Sequence, residues 1–251
     1  MRELLIVVAS HKPYAMPDDS AYLPLQVGAA GREAIPGFAR DDTGDSISTR
    51  NANWCELTGL YWAWKNLDAS AVGIVHYRRH FKGAHGIATG AELAALINSH
   101  EAILPRRRNY FIETTYSQYA HAHHAQDLDT VRQIISERHP ECLEAFDAAM
   151  RSTKGHRFNM FVMKGPLFHA YCEWLFDILF ELERRLDISS YSPYDARVFG
   201  FVGERLLDVW LAGTPAGRSM RVIELSVLHL EGQHWPKKIL MFLRRKFLRR
   251  C

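Results

Sequence analysis

Two adjacent arginines, Arg78 and Arg79, follow directly on the apolar run Val72-Gly73-Ile74-Val75-His76-Tyr77. A guanidinium keeps its charge near neutral pH and presents a planar fork of donors that matches phosphate oxygens. The run reads as a buried strand, and ligands of an open α/β sheet bind beyond the carboxyl ends of its strands. The pair therefore reads as an anion clamp in preference to a surface ion-pair patch. His76 alone would more simply be a core histidine. His76 and His80 are four apart, but that spacing makes a metal pair only on a helix, and this segment leaves a strand.

Three further clusters carry chemistry. Asp41-Asp42-Thr43-Gly44-Asp45-Ser46 has the composition of a solvated turn. It precedes a helix whose polar face offers Asn51, Asn53, Glu56 and Thr58, groups suited to a sugar, a ribose or a base edge. Tyr116, Tyr119, His123 and Asp127 fall on one helical face, with His121 and His124 nearby. That is an exposed His-rich helix or, alternatively, a zinc site. Glu204 and Arg205 interrupt an apolar helix and must be paired or face a cavity. Glu204 is then either an ion-pair partner or a general base lifted by burial. No GxxxxGK[ST], strand-following GxGxxG or GxSxG pattern occurs, which argues against P-loop, Rossmann dehydrogenase and ordinary α/β-hydrolase chemistry.

The elements that must position these groups alternate. Strands are expected at residues 3–10, 72–77, 101–104, 158–164 and 221–228. Helices are expected at 51–66, 89–99, 115–138, 140–150, 166–186 and 195–211, and 11–50 reads as a long ordered loop. Alternation of this kind predicts an α/β layered fold with a mostly parallel sheet. The 251 residues, 47% hydrophobic and 24% charged, form a globular composition that excludes disorder and collagen. Four dispersed cysteines without a CxxC pair fit a reducing compartment. A net charge of +3 is no nucleic-acid-binding excess, and seven basic residues from Lys237 onward more than account for it. The tail 236–251 reads as a basic amphipathic helix lying on an anionic membrane surface through residues 237–251, apart from a body of residues 1–235. No apolar run is long enough for a transmembrane helix or a signal-peptide core. The expected location is cytoplasmic, peripheral on the inner face of the membrane.

Several segments resemble a bacterial capsular-polysaccharide-synthesis family, long known only as a domain of unknown function. They are His11-Lys12-Pro13, residues 22–29, residues 41–48, Glu56-Leu57-Thr58-Gly59-Leu60-Tyr61-Trp62-Ala63-Trp64-Lys65-Asn66, His76-Tyr77-Arg78-Arg79, Phe158-Asn159-Met160-Phe161 and Gly203-Glu204-Arg205-Leu206. The likeness spans about residues 3–230. It implies a GT-A-like (Rossmann-like) mixed, mostly parallel sheet flanked by helices. It also implies a hexosyltransferase moving a sugar from a UDP-linked donor, in some members UDP-galactofuranose, to a growing or lipid-linked cell-surface glycan. On that resemblance His11, Asp42, Asp45, Asn51, His76, Tyr77, Arg78 and Arg79 are expected to bind the donor. Tyr119, His124, Asp127 and Asn159 are expected to meet the acceptor. Glu204 is the expected base, with inversion at the anomeric carbon. The GT-A Asp-x-Asp is replaced here by His76-Tyr77-Arg78. No metal site is therefore expected, with Mn or Mg on Asp41, Asp42 or Asp45 left open. A non-catalytic glycan- or nucleotide-binding subunit is the alternative.

Overall fold

The computed structural model describes residues 2–231. The expected amphipathic tail at 236–251 lies outside the described residues.

The N-terminal run forms strand β1 (Arg2–Ser10), with Leu4 through Ala9 buried. Side chains alternate across a strand. Leu5, Val7 and Ala9 therefore enter one apolar core and Leu4, Ile6 and Val8 a second, on opposite faces of the sheet. Burial on both faces is why this strand reads as an unbroken hydrophobic run. The expected loop at 11–50 instead contains β2 (Tyr22–Gln26) and β3 (Ala39–Arg40). Next come α1 (Asn51–Trp54), α2 (Leu57–Asn66), β4 (Ala69–His76), β5 (Arg79–Gly83), β6 (Gly86–Ile87), α3 (Gly90–Ser99), β7 (Ala102–Pro105) and β8 (Arg108–Asn109). After them come α4 (Thr115–Ala122), α5 (Ala125–Arg138), α6 (Leu143–Arg151), β9 (Lys154–Gly155), β10 (Phe161–Lys164), α7 (Gly165–Arg185), α8 (Val198–Gly213), α9 (Pro215–Arg218), β11 (Val222–Leu225) and β12 (Val227–His229).

The main sheet runs β11-β7-β10-β4-β1-β2-β3. Its neighbours are parallel except at β10, which is antiparallel to both β4 and β7. Both α2 and α7 lie against the first core, which also takes α8. The helix α3, held at its start by a Thr89–Glu92 capping box, covers the second core. The mixed, mostly parallel sheet flanked by helices is the architecture the alternation predicts.

Two expected helices are broken, and both breaks have local causes. The 51–66 helix parts at Cys55, whose φ of 53° is unfavourable for a residue with a Cβ. The 115–138 helix parts at His123 and His124, which adopt extended backbone between α4 and α5. The expected strand at 158–164 begins only at Phe161, because Phe158 and Asn159 take positive φ of 80° and 47°.

Candidate active site

The carboxyl ends of β1 and β4 open into a cleft of about 720 Å³. The turn from β4 to β5 supplies His76, Tyr77, Arg78 and Arg79 to it, and the chain after β1 supplies His11. Across the opening, α1 contributes Asn51, the α1–α2 joint contributes Cys55 and Glu56, and the start of α8 contributes Arg197 and Glu204.

The joint at Cys55 turns the following residue into the cleft. The α8 helix reaches this joint because it presents glycines to it. A Cβ on Gly200 would come within 3.2 Å of the Cys55 Cβ, and one on Gly203 within 3.0 Å of Leu57 Cδ1. That close approach sets Glu204 and Glu56 on the same cleft. Cys55 Sγ accepts a hydrogen bond from Arg197 Nε at 3.1 Å. Burial pushes its thiol up to about 11, so it stays protonated and unreactive near neutral pH.

The cleft is rich in fixed positive charge from Arg32, Arg78, Arg79 and Arg197. Burial lowers the His11 pKa first, and Lys12, Arg78, Arg32 and Arg197 lower it further. That imidazole thus registers a positive potential. Arg79 is half-buried, with its guanidinium 4.6 Å over the Phe158 ring. Burial and then Arg78 hold its pKa down, while Glu204 and Glu56 act in the opposite sense. Arg78 is more exposed and pairs with Glu231 at 3.2 Å. His76 donates through Nε2 to the Phe158 carbonyl, and burial, reinforced by Arg79, pushes it down to about 4. It is neutral at physiological pH. Tyr77 packs edge-on against His11 and Tyr14 and carries Lys12 5.1 Å over its ring.

The structure gathers His11, Asn51, His76, Tyr77, Arg78, Arg79 and Glu204 around one cavity. Other expected residues lie elsewhere. Asp42 is held by Arg40 through two hydrogen bonds of 3.0 and 2.7 Å, and exposed Asp45 accepts from Tyr61. Neither is among the residues lining this cleft. Asp41 is fully buried and accepts from the backbone of Gly28 and Ala29 and from the hydroxyls of Ser48 and Thr58. It is a structural cornerstone of the β3–α1 region.

The four expected acceptor residues, Tyr119, His124, Asp127 and Asn159, are not among those lining this cleft. Tyr119 is fully buried and donates to Asp127 Oδ2 at 2.7 Å, and Tyr191 donates to the other carboxylate oxygen at 2.6 Å. This closed network joins α4 and α5 to the chain near Tyr191. Burial raises the Asp127 carboxyl, and the two hydroxyls counter that. His124 stacks on Tyr191 with centroids 4.0 Å apart. Asn159, also buried, donates to Glu56 Oε1 at 2.7 Å and to the Gly200 carbonyl at 3.1 Å. It does not line the cleft itself and reaches it through Glu56 and Gly200, which do.

The zinc alternative fails on geometry. His121 pairs with Glu113, His123 with Asp195, and Asp127 with two tyrosines. Among the described residues no three His, Cys, Asp or Glu side chains gather as a metal site. Of the three aspartates left open for Mn or Mg, Asp41 is buried among four donors, Asp42 is paired with Arg40, and exposed Asp45 accepts from Tyr61.

Of the residues lining the cleft, Arg32 was not singled out in the sequence, and Glu56 and Arg197 were noted there without an assigned role at the site. Glu56 read only as one polar group at a helix start, and nothing in its neighbours signals the break at Cys55. Burial raises its carboxyl, while the Asn159 amide lowers it.

Residues 5–215 match the profile of a family described as a domain of unknown function, DUF4422. A search of curated protein sequences returns no match. Among solved structures, the apo form of WbbM, a bifunctional glycosyltransferase, is similar, with a TM-score of 0.84 and 27% sequence identity. The similarity covers 92% of this chain and 46% of WbbM, so the chain spans about half the length of that enzyme. The mixed, mostly parallel sheet flanked by helices, with this structural match, is a GT-A-like glycosyltransferase fold. With more than four-fifths of its length inside the matched profile, the chain belongs to the DUF4422 family.

Proposed function

We propose that this protein is a glycosyltransferase that moves a sugar from a UDP-linked donor, of which UDP-galactofuranose is one candidate, to a hydroxyl of a growing cell-surface glycan. One observation carries the reading. Arg78, Arg79 and Arg197 converge on the cleft at the carboxyl ends of β1 and β4, which the carboxylates Glu56 and Glu204 also line. The likeness to WbbM supports glycosyl transfer as the reaction type.

In this reading the arginines hold the diphosphate. Preorganised cations aimed at charge that develops on a leaving group are commonly the largest catalytic contribution. Glu204 takes the proton of the acceptor hydroxyl. The oxygen attacks the anomeric carbon from the face opposite the diphosphate, the bond from that carbon to the diphosphate oxygen breaks, and UDP leaves. The anomeric centre is inverted and the proton rests on Glu204. Glu56, fixed by Asn159, faces Arg79 and orients it toward the donor. Asn51 and His11 line the nucleoside or sugar portion of the cleft.

The test is incubation of purified protein with UDP-sugars and glycan acceptors, followed by detection of UDP and extended glycan. Donor binding without turnover of any acceptor would favour the binding-subunit alternative.

A further inference from the structure

The loop after β7 carries Arg106-Arg107-Arg108-Asn109-Tyr110-Phe111-Ile112, and it displays its most apolar residues to solvent. Phe111 is 79% exposed and Ile112 61%. Most large apolar side chains of this chain are buried, so two adjacent exposed ones call for an occupant. The loop is held in this shape. Asn109 Oδ1 accepts from the Phe111 amide at 2.8 Å, the Ile112 amide donates to the Tyr110 carbonyl, and the Tyr110 amide donates to Thr153. The Tyr110 hydroxyl accepts from Arg157 Nε at 3.2 Å. Phe111 itself sits at φ 58°, a costly conformation for a bulky residue.

Around this apolar tip the charge is of one sign. Arg106, Arg107 and Arg108 are all exposed, and residues 102–112 hold no acid. Arg107 is paired with Glu224, while Glu113 is buried against His121. Topology also places the loop. Strands β7 and β4 are both antiparallel to β10, so they run the same way, and the loop leaves the sheet edge where the cleft opens. Glu231, the last described residue, binds Arg78 and Lys12 at that same edge.

We propose that the Phe111–Ile112 tip is a membrane-docking element. It seats in the interface of an anionic phospholipid bilayer, with Arg106 and Arg108 against the headgroups, and turns the mouth of the cleft toward the membrane. Two side chains are far too little surface for a stable protein partner, which needs roughly 800 Å² per side. An interface that takes apolar side chains at its acyl boundary and cations at its headgroups fits both features. Among the described residues no helix is long and apolar enough to cross a membrane, so the contact is interfacial.

The test is co-sedimentation of the full chain with phosphatidylglycerol and phosphatidylcholine vesicles, without any sugar donor. The variant is Phe111→Asn with Ile112→Ser, since asparagine tolerates positive φ. It is compared with wild type both in the native chain and in one whose seven Lys and Arg from position 237 onward are glutamine. The double variant should bind phosphatidylglycerol vesicles about tenfold or more weakly in either background. Arg106→Gln with Arg108→Gln should weaken it several-fold. Binding to phosphatidylcholine should be weaker throughout. Thermal unfolding and UDP affinity should stay unchanged, which separates this proposal from the reading of the cleft. Equal vesicle binding by wild type and the apolar double variant in both backgrounds would overturn it. So would a loss of self-association in that variant without vesicles, which would make the occupant a second copy.

Discussion

The side-chain amide of Asn159 donates a 2.7 Å hydrogen bond to Oε1 of Glu56, across 103 residues of sequence. Both partners sit where the backbone is bent. Asn159 has φ 47°, and Glu56 follows Cys55 at φ 53°. Each strained position costs energy and persists because its surroundings determine it. Replacing Asn159 by Ala removes this bond and the one to Gly200, leaving a half-buried carboxylate short of a donor. Stability should drop by about 1–3 kcal/mol in urea titrations. Transfer by the folded fraction should fall by about tenfold as Arg79 loses its fixed neighbour. Unchanged transfer would remove Glu56 from the positioning role.

Glu204→Gln keeps the shape of the side chain and removes its ability to take a proton. Transfer should fall by roughly 10²–10⁴-fold, with UDP affinity nearly intact. Among the described residues its ion-pair neighbour is Arg205, at 3.5 Å, so the protein should remain folded. A variant that transfers at the wild-type rate would move the base elsewhere, with Glu56→Gln the next to assay.

Transfer should survive EDTA. Asp41, Asp42 and Asp45 are engaged by backbone amides, hydroxyls and Arg40. The diphosphate is neutralised in this reading by arginines. Activity lost to EDTA and restored by manganese or magnesium would contradict this arrangement.

Much of the scaffold was legible because strand periodicity and burial agree, as in β1 and β4. The arginine pair was legible because a short buried strand must end somewhere, and Arg78-Arg79 stands at that end. What was illegible depends on backbone bends and long-range pairing. Asp41 looked like a turn aspartate because its four donors come from Gly28, Ala29, Ser48 and Thr58, separated in sequence. Tyr119 and Asp127 shared a predicted helical face but close on each other and on Tyr191. Glu56 reached the cleft only through the positive φ of Cys55, a non-glycine position that sequence gives no reason to expect.

Acid should destabilise the fold through two histidines. Burial pushes both His76 and His80 down to about 4, against about 6.5 in the unfolded chain. Between those values the unfolded chain binds more protons than the native protein, so stability rises with pH. The contribution is fully present above pH 6.5 and is lost progressively as pH falls toward 4. Each histidine costs up to about 1.4 kcal/mol per pH unit there. Denaturation midpoints measured from pH 7.5 to 4.5 should fall, and His80→Phe should flatten the decline. A slope unchanged in that variant would exclude His80 as a contributor.

The central claim is that Arg79 and its neighbours hold a nucleotide diphosphate, and calorimetric titration with UDP tests it most directly. Arg79 is the more buried arginine and faces the two carboxylates, whereas Arg78 is shared with Glu231. A charge-assisted contact of this kind is worth roughly 1.5–3 kcal/mol. The wild-type protein should bind UDP, Arg79→Ala should weaken binding by about tenfold or more, and Arg78→Ala should weaken it less. Equal UDP affinity in all three proteins, or no UDP binding by the wild type, would contradict the account.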